Sequence, residues 1–312
     1  MSSIKETIVL IKGDLPHKSL KGILQSFLFN QGFRVLLNFR IGSFFYSSRF
    51  LLFRQIGLYY RNRLITKRNC DISYKAKIGK NVNCGYCVNI ADNVVIEDNV
   101  TIGDYCLIGY SNDKNSSKKL LIKKGTKINS HSIIYENSKI GENSVIGHRV
   151  LIREKTLIEN NVQIGSFSDI EGSCKISSYS KLHSNVHVGQ QSIIMSYAWL
   201  FPYVILTNDP IPPSNIRKGT VIEPFAVVCT RSTVLPGKKI GFGSFVGANS
   251  LVNNNLEPEM IGSGNPFKIR SNINKIKIPN TKKNAYPWIS RFQKDYPKNA
   301  KEIYLKLRKK YL

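Results

Sequence analysis

The sequence predicts a left-handed parallel β-helix built from hexapeptide repeats, and three observations predict it. Large aliphatic residues recur every six positions from Ile72 to Ile108, from Ile122 to Leu206 and from Ile222 to Val252; of these 28 anchors, 27 are Ile, Leu or Val and the other is Cys84. Four residues after each anchor stands a small or β-branched residue, as at Ala76, Val82, Ser132, Ser144, Ala226 and Ser250, with Lys238 the misfit within the regular repeats. The phase also holds over 15 consecutive hexads, which the strands of an ordinary sandwich would not keep.

One large and one small inward residue per six describes a flat wall meeting a tight corner. Three walls, one hexad each, close a triangular coil. Coils stack by backbone hydrogen bonds at about 4.8 Å, so nine coils make a prism roughly 43 Å long. Alternation within a hexad, as in Val94–Asn99, supplies the strand character. Gly and Asn at the corners tolerate left-handed backbone angles.

Three segments follow from this pattern: a basic amphipathic helical segment at 1–71, the β-helix at 72–256, and a basic extension with a helix at 257–312. In the first, residues 20–66 read as amphipathic helices, with Arg recurring among Leu, Ile, Phe and Tyr. Arg34, Arg40, Arg49, Arg54, Arg61 and Arg63 cut this apolar tract, which excludes an ordinary membrane span. In the last, residues 287–311 read as a helix that Tyr286, Pro287 and Trp288 introduce. Two loops interrupt the repeat, 109–121 and the proline-rich 207–221. Fifteen hexads separate their starting points, a multiple of three, so both are expected on the same edge. Long loops on a regular solenoid are usually functional.

Charge follows the same division. Residues 1–70 hold 12 Lys/Arg against 2 acids and residues 266–312 hold 14 against 2, whereas the centre is nearly neutral. A groove-reading nucleic-acid protein would carry its charge on the folded face that does the reading, so no nucleic acid is expected. Basic flanks suit an anionic membrane surface. The six cysteines form no disulfide or zinc pattern, and no signal peptide is visible; a cytoplasmic protein, peripheral on the inner face of the membrane, is the expectation.

The stretch from Val234 to Val252 resembles the closing coils of the hexapeptide-repeat acyltransferases, and Gly264–Arg270 resembles their exit motif. Leu182–Gly189, followed by Thr207–Pro210, is similar to sugar N-acetyltransferases of surface-polysaccharide pathways, and the Arg-rich N-terminal helices resemble O-acetyltransferases of those pathways. The resemblance implies an enzyme that moves an acetyl group from acetyl-CoA to an amino or hydroxyl group of a sugar or nucleotide sugar. It further implies a homotrimer with acetyl-CoA between two subunits, Gly247, Ala248 and Ser250 against the cofactor, and Lys268 or Arg270 at its 3′-phosphate. Lys238 and Phe267 depart from the family pattern, where Val and Ala are usual.

Acetyl transfer needs a base for the attacking group, and histidine has the right ordinary pKa. His183 and His187 bracket one hexad of the coil beneath the loop 207–221, because Leu206 stacks one coil, three hexads on, above Val188. His183 is the favoured base and His187 the second candidate, with Asn185, Asn208 and Asp209 as acceptor-binding residues. Two readings compete. One is a zinc hydratase of the γ-carbonic-anhydrase type, but His148 and His183 miss two whole coils by one residue, so no metal is expected. The other is a non-catalytic scaffold at a lipid surface.

Overall fold

The computed structural model describes residues 4–15, 19, 26, 30–113, 116, 118–288 and 296–312. The chain divides into two compact units, 1–155 and 156–312. Each contains a stretch of the parallel left-handed β-helix, with about ten turns in all, so the nine coils expected are closely matched.

The anchors explain the fold. All 28 are buried, and none is more than 6% exposed. The second column turns inward as well. Its serines resolve the cost of burying a hydroxyl by donating to a carbonyl of the next coil: Ser132 Oγ to Gly147 O at 2.9 Å, Ser168 Oγ to His183 O at 3.1 Å, Ser232 Oγ to Gly247 O at 2.8 Å. Corners are turned by residues with left-handed backbone angles, Asn at eight positions in the repeat but aromatic at Tyr105, Phe167, Tyr179, Tyr197, Tyr203 and Phe225.

In the first unit, three parallel ladders begin at Asp71–Ile72, Lys77–Ile78 and Asn83–Cys84, each strand pairing with its counterpart one coil further on. The loop 109–121 leaves the first ladder after Leu107–Tyr110 and enters the second at Leu120–Ile122. Helices α1 (Ile4–Asp14), α2 (Gln31–Tyr46) and α3 (Leu51–Arg68) precede the coils. The expected helices at 20–66 thus correspond to α2 and α3 from residue 31 onward, while 20–25 and 27–29 lie outside the described residues. Asn30 caps α2 by accepting from Phe33 N at 2.9 Å. A Cβ on Gly57 would stand 2.6 Å from Tyr46 N, so glycine is what lets α3 approach α2 this closely. The buried Arg40 guanidinium docks the helices on the coils: it donates to Asp14 at 3.0 Å and to Ile78 O at 2.6 Å. No helix among the described residues is long and apolar enough to cross a membrane.

In the second unit, the three ladders start at Asp169–Ile170, Leu157–Ile158 and Gln163–Ile164. The loop 207–221 leaves the first ladder after Ile205–Leu206 and enters the second at Val221–Ile222. Met260–Ser263 extends the third ladder and turns back through Lys268–Asn272 in an antiparallel hairpin. Phe267 closes this hairpin, because a Cβ on Gly262 would lie 2.1 Å from its ring; the departure from the expected small residue has a packing role.

The C-terminal helix α4 spans Ala300–Tyr311, within the expected 287–311; residues 289–295 of that span lie outside the described residues. Trp288 packs on the wall, its ring 4.8 Å from that of Trp199. Tyr296 and Tyr304 join it over an aromatic stack at one corner, where Tyr179, Tyr197 and Phe225 lie parallel at 5.1 and 4.6 Å. Aromatic attraction holds Trp288 and Tyr296 on this corner. Arg308 and Tyr304 of α4 both donate to Glu259, at 2.8 and 3.1 Å.

Candidate functional site

The second unit brings His183, Asn185 and His187 to one corner, between the third and the first wall. His183 follows the anchor Leu182, the chain turns through Ser184 and Asn185, and His187 opens the next strand. Asn185 has a left-handed φ of 59° and donates its N–H to Ser166 O at 2.9 Å, which sets the turn.

The two histidines differ in what holds them. His183 lies flat against Phe201, ring centroids 4.7 Å apart, with Trp199 at 6.1 Å. Burial and the nearby Lys181 ammonium push its pKa down, so the ring is neutral at physiological pH. His187 stands directly above Asp169 in the first ladder, and its Nδ1 is 3.3 Å from Asp169 Oδ2. Its Nε2 lies 3.7 Å from Glu171 Oε1, beyond a proper hydrogen bond. The hydrogen bond to Asp169 raises the His187 pKa, and the two carboxylates add to this against the opposing effect of burial.

Glu171 is fixed in its turn. Its Oε2 accepts from Gln190 N at 3.0 Å and from Asn208 Nδ2 at 2.8 Å. Asn208 therefore joins the base of the loop 207–221 to the histidine wall. Asp209 faces a different duty: it accepts from Ser214 N at 2.9 Å, Ser214 Oγ at 2.6 Å and Ile211 N at 3.1 Å, with Arg217 at 3.5 Å. These donors hold its carboxyl below the usual range and tie it to the loop itself. Asp169 and Glu171 are absent from the sequence reading. Stepping one coil back from His187 and Gly189 would have found them.

The expected donor residues lie farther along the same unit. Gly247 shares the column of His183, three coils on, or about 14 Å at the coil spacing. Ala248 is exposed beside it, whereas Ser250 points inward and gives its hydroxyl to Gly247 O at 2.6 Å. Lys268 and Arg270 are exposed on the closing hairpin, and Arg270 Nε donates to Ser263 Oγ at 2.9 Å. Cys229, between Phe201 and Gly247 in the column, is pushed up to about 11 by burial, so it offers no ready thiolate nucleophile. Among the described residues no group of three or more His, Cys, Asp or Glu side chains is gathered for a metal.

This geometry can take a proton from an incoming amine or hydroxyl and keep the resulting imidazolium beside a carboxylate. The chain is 32% identical over 90 residues to a chloramphenicol acetyltransferase from Klebsiella aerogenes, covering 27% of this chain and 43% of that protein. It is 33% identical over 79 residues to another from Escherichia coli, covering 23% and 38%. The chain is similar to acetyltransferases. It spans less than half the length of these curated relatives. Among solved structures, the UDP-N-acetylglucosamine acyltransferase of Arabidopsis aligns over 65% of this chain and 73% of its own at 17% identity, with a TM-score of 0.46. No family model matches.

Proposed function

We propose that this chain transfers an acetyl group from acetyl-CoA to an amino or hydroxyl group of a sugar or nucleotide sugar, in the building of surface polysaccharide. The observation that carries this reading is His187, held by Asp169 on Nδ1, with Nε2 3.7 Å from Glu171 Oε1 beside the loop 207–221. His187 Nε2 takes the proton as the acceptor nitrogen or oxygen attacks the thioester carbonyl, and Asp169 stabilises the imidazolium that forms. When the tetrahedral intermediate collapses, the CoA sulfur leaves and receives that proton. Sequence favours His183 as the base, but the carboxylate beside His187 makes His187 the better choice. His183, stacked and neutral, then lines the acceptor site with Asn185, while Asn208 positions Glu171.

Acetyl-CoA, in this reading, follows the column toward Gly247 and Ala248 and ends at Lys268 or Arg270, in the groove of a homotrimer. The basic first segment meets an anionic membrane through α3. Incubating the protein with acetyl-CoA and a panel of amino sugars, their nucleotide derivatives and neutral sugars, with thiol release as the readout, tests the activity. Release no faster than without acceptor across the whole panel would overturn it.

A further inference from the structure

The first unit holds a cavity of about 450 Å³ outside the histidine corner, which belongs to the second unit. That volume falls in the range of roughly 300–1,000 Å³ usual for small-molecule sites. The register of the first wall builds it. Asp71, Asn89 and Leu107 stand side by side, one per coil, as the outward residues before their anchors. Just past the anchors come Ser73, Ala91 and Gly109, which carry little or no side chain and leave a trough. Gly109 has a φ of 82°, and a Cβ there would lie 2.4 Å from Val94 Cγ2, so glycine is required. Asp92, Tyr110 and Glu136, each two residues past its anchor, line the trough as well. Arg61 of α3 and Ser111 of the loop 109–121 complete it.

The polar lining is rich in acceptors. Asp71 Oδ1 accepts from Arg61 Nη2 at 3.0 Å, and Glu136 Oε1 accepts from Ser111 Oγ at 2.9 Å. The second oxygens, Asp71 Oδ2 and Glu136 Oε2, meet no hydrogen-bond donor among the described residues. Asp92 is ionised, because the Lys75 ammonium at 2.6 Å and the Ser73 hydroxyl hold its carboxyl below the usual range. With Asp113 the lining has four carboxylates, against the guanidinium of Arg61 and, behind Asp92, the ammonium of Lys75. This negative surplus stands in a chain of net charge +26 that has only 20 acidic residues. A ligand held here has to donate hydrogen bonds and carry positive charge. The carboxylates are not gathered for a metal ion, and a bare cation would make no use of the Asn89 amide or the Tyr110 ring. An amino sugar answers every part of the lining. Its ammonium matches the charge, its hydroxyls match the carboxylates and the amide, and its C–H faces match the Tyr110 ring, which Tyr135 braces at 4.9 Å.

We propose that this cavity is a second saccharide site, one that holds an amino sugar by its protonated amine and its hydroxyls; the choice of a sugar rests on the reading of the protein as a sugar acetyltransferase. Acetylation turns the ammonium into a neutral amide, so the site collects the amine before transfer and does not retain the product.

Calorimetric titration of the full chain without acetyl-CoA tests this. The starting protein is His183→Ala/His187→Ala, which removes the proposed acceptor corner and leaves the cavity. It should bind glucosamine once per chain, and bind N-acetylglucosamine and glucose about tenfold more weakly. In that background Glu136→Gln and Asp71→Asn keep the size of each side chain and its bond to Ser111 or Arg61. Each should weaken glucosamine about five- to twentyfold, and binding should fall as salt rises. No glucosamine binding, equal affinity for N-acetylglucosamine, or affinity that neither variant alters would overturn the site. Methylamine held as tightly as glucosamine would overturn it too, since the hydroxyls would then count for nothing. The acetyltransferase reading fails differently: wild type would release no thiol from acetyl-CoA with any sugar, while glucosamine binding and its weakening in the variants would stand.

Discussion

A histidine held by two carboxylates is harder to deprotonate than a free one, and this places His187 at odds with its proposed task. Its pKa lies above the ordinary 6.5, chiefly through the hydrogen bond to Asp169. Only the neutral ring can accept a proton, so kcat/KM for the acceptor should fall as pH drops, with a midpoint above 6.5. In Asp169→Asn the main cause of the shift is gone: the midpoint should move to lower pH while the plateau rate drops. Matched pH profiles of the two proteins check this, and a midpoint that stays in place would contradict it. Stability runs the other way. A raised folded pKa gives stability that is fully present below the unfolded value and is lost as pH rises through the folded one, so the pair helps folding most where catalysis is weakest. His187→Ala should lower kcat by about 10²–10⁴ with little change in the acetyl-CoA KM, and His183→Ala should cost less. Unaltered turnover in both would leave the substrate's own amine as the base. At this scale the sequence was partly legible. The three-hexad coil connects Asp169 to His187 by counting alone, whereas the fate of Asp209 depends on Ser214 and Arg217 folding back within a loop that has no period.

Elements divide in the same way between what repeats and what does not. Each hexad carries its own inward anchor, so the walls were readable from Ile72 to Val252. The C-terminal helix was readable too, but the docking of the tail was not, because Trp288 and Tyr296 are placed by Trp199, Tyr197 and Tyr179, residues about 90 to 117 positions earlier. Helix α4 is held by the Glu259 carboxylate, which Arg308 keeps below its ordinary range. Such a depressed carboxylate stabilises above its unfolded pKa and loses that effect as pH falls. Glu259→Gln should therefore loosen α4, by about 1 kcal/mol given the half-exposed guanidinium, and hydrogen exchange of its amides at neutral pH should speed up while that of the coil strands does not. At the other end, α3 buries Gly57 and Leu64 and shows solvent an apolar stripe of Leu51, Leu58 and Ile65, flanked by Arg54, Arg63 and Lys67. Residues 31–70 contain no acidic side chain. Vesicles containing anionic lipid should bind the protein, with binding that weakens as salt rises, and Leu51→Ser/Leu58→Ser should reduce it. Equal recovery on neutral and anionic vesicles would refute the lipid role of this helix.

For the whole molecule, the proposed trimer brings its own measurement. The first wall presents the apolar outward residue Ile205 one coil from His187 and Leu251 two coils beyond it, where a second subunit would complete the groove that holds acetyl-CoA. Light scattering at low micromolar concentration should give about three times the 35.3 kDa of the chain, and a fully active monomer would defeat both the trimer and the shared groove. The docking of the tail has an optical consequence. Trp199 and Trp288 are the two tryptophans of the chain, one on a wall and one on the tail, with centroids 4.8 Å apart and planes inclined at 47°. Indoles this close and this skewed share their excited states, and a chiral, inclined pair splits its absorption into two circular-dichroism bands of opposite sign. Circular dichroism of the native protein should therefore show a far-ultraviolet couplet from this pair. That couplet should vanish when the tail lifts, even with every coil intact, and Trp288→Phe should abolish it.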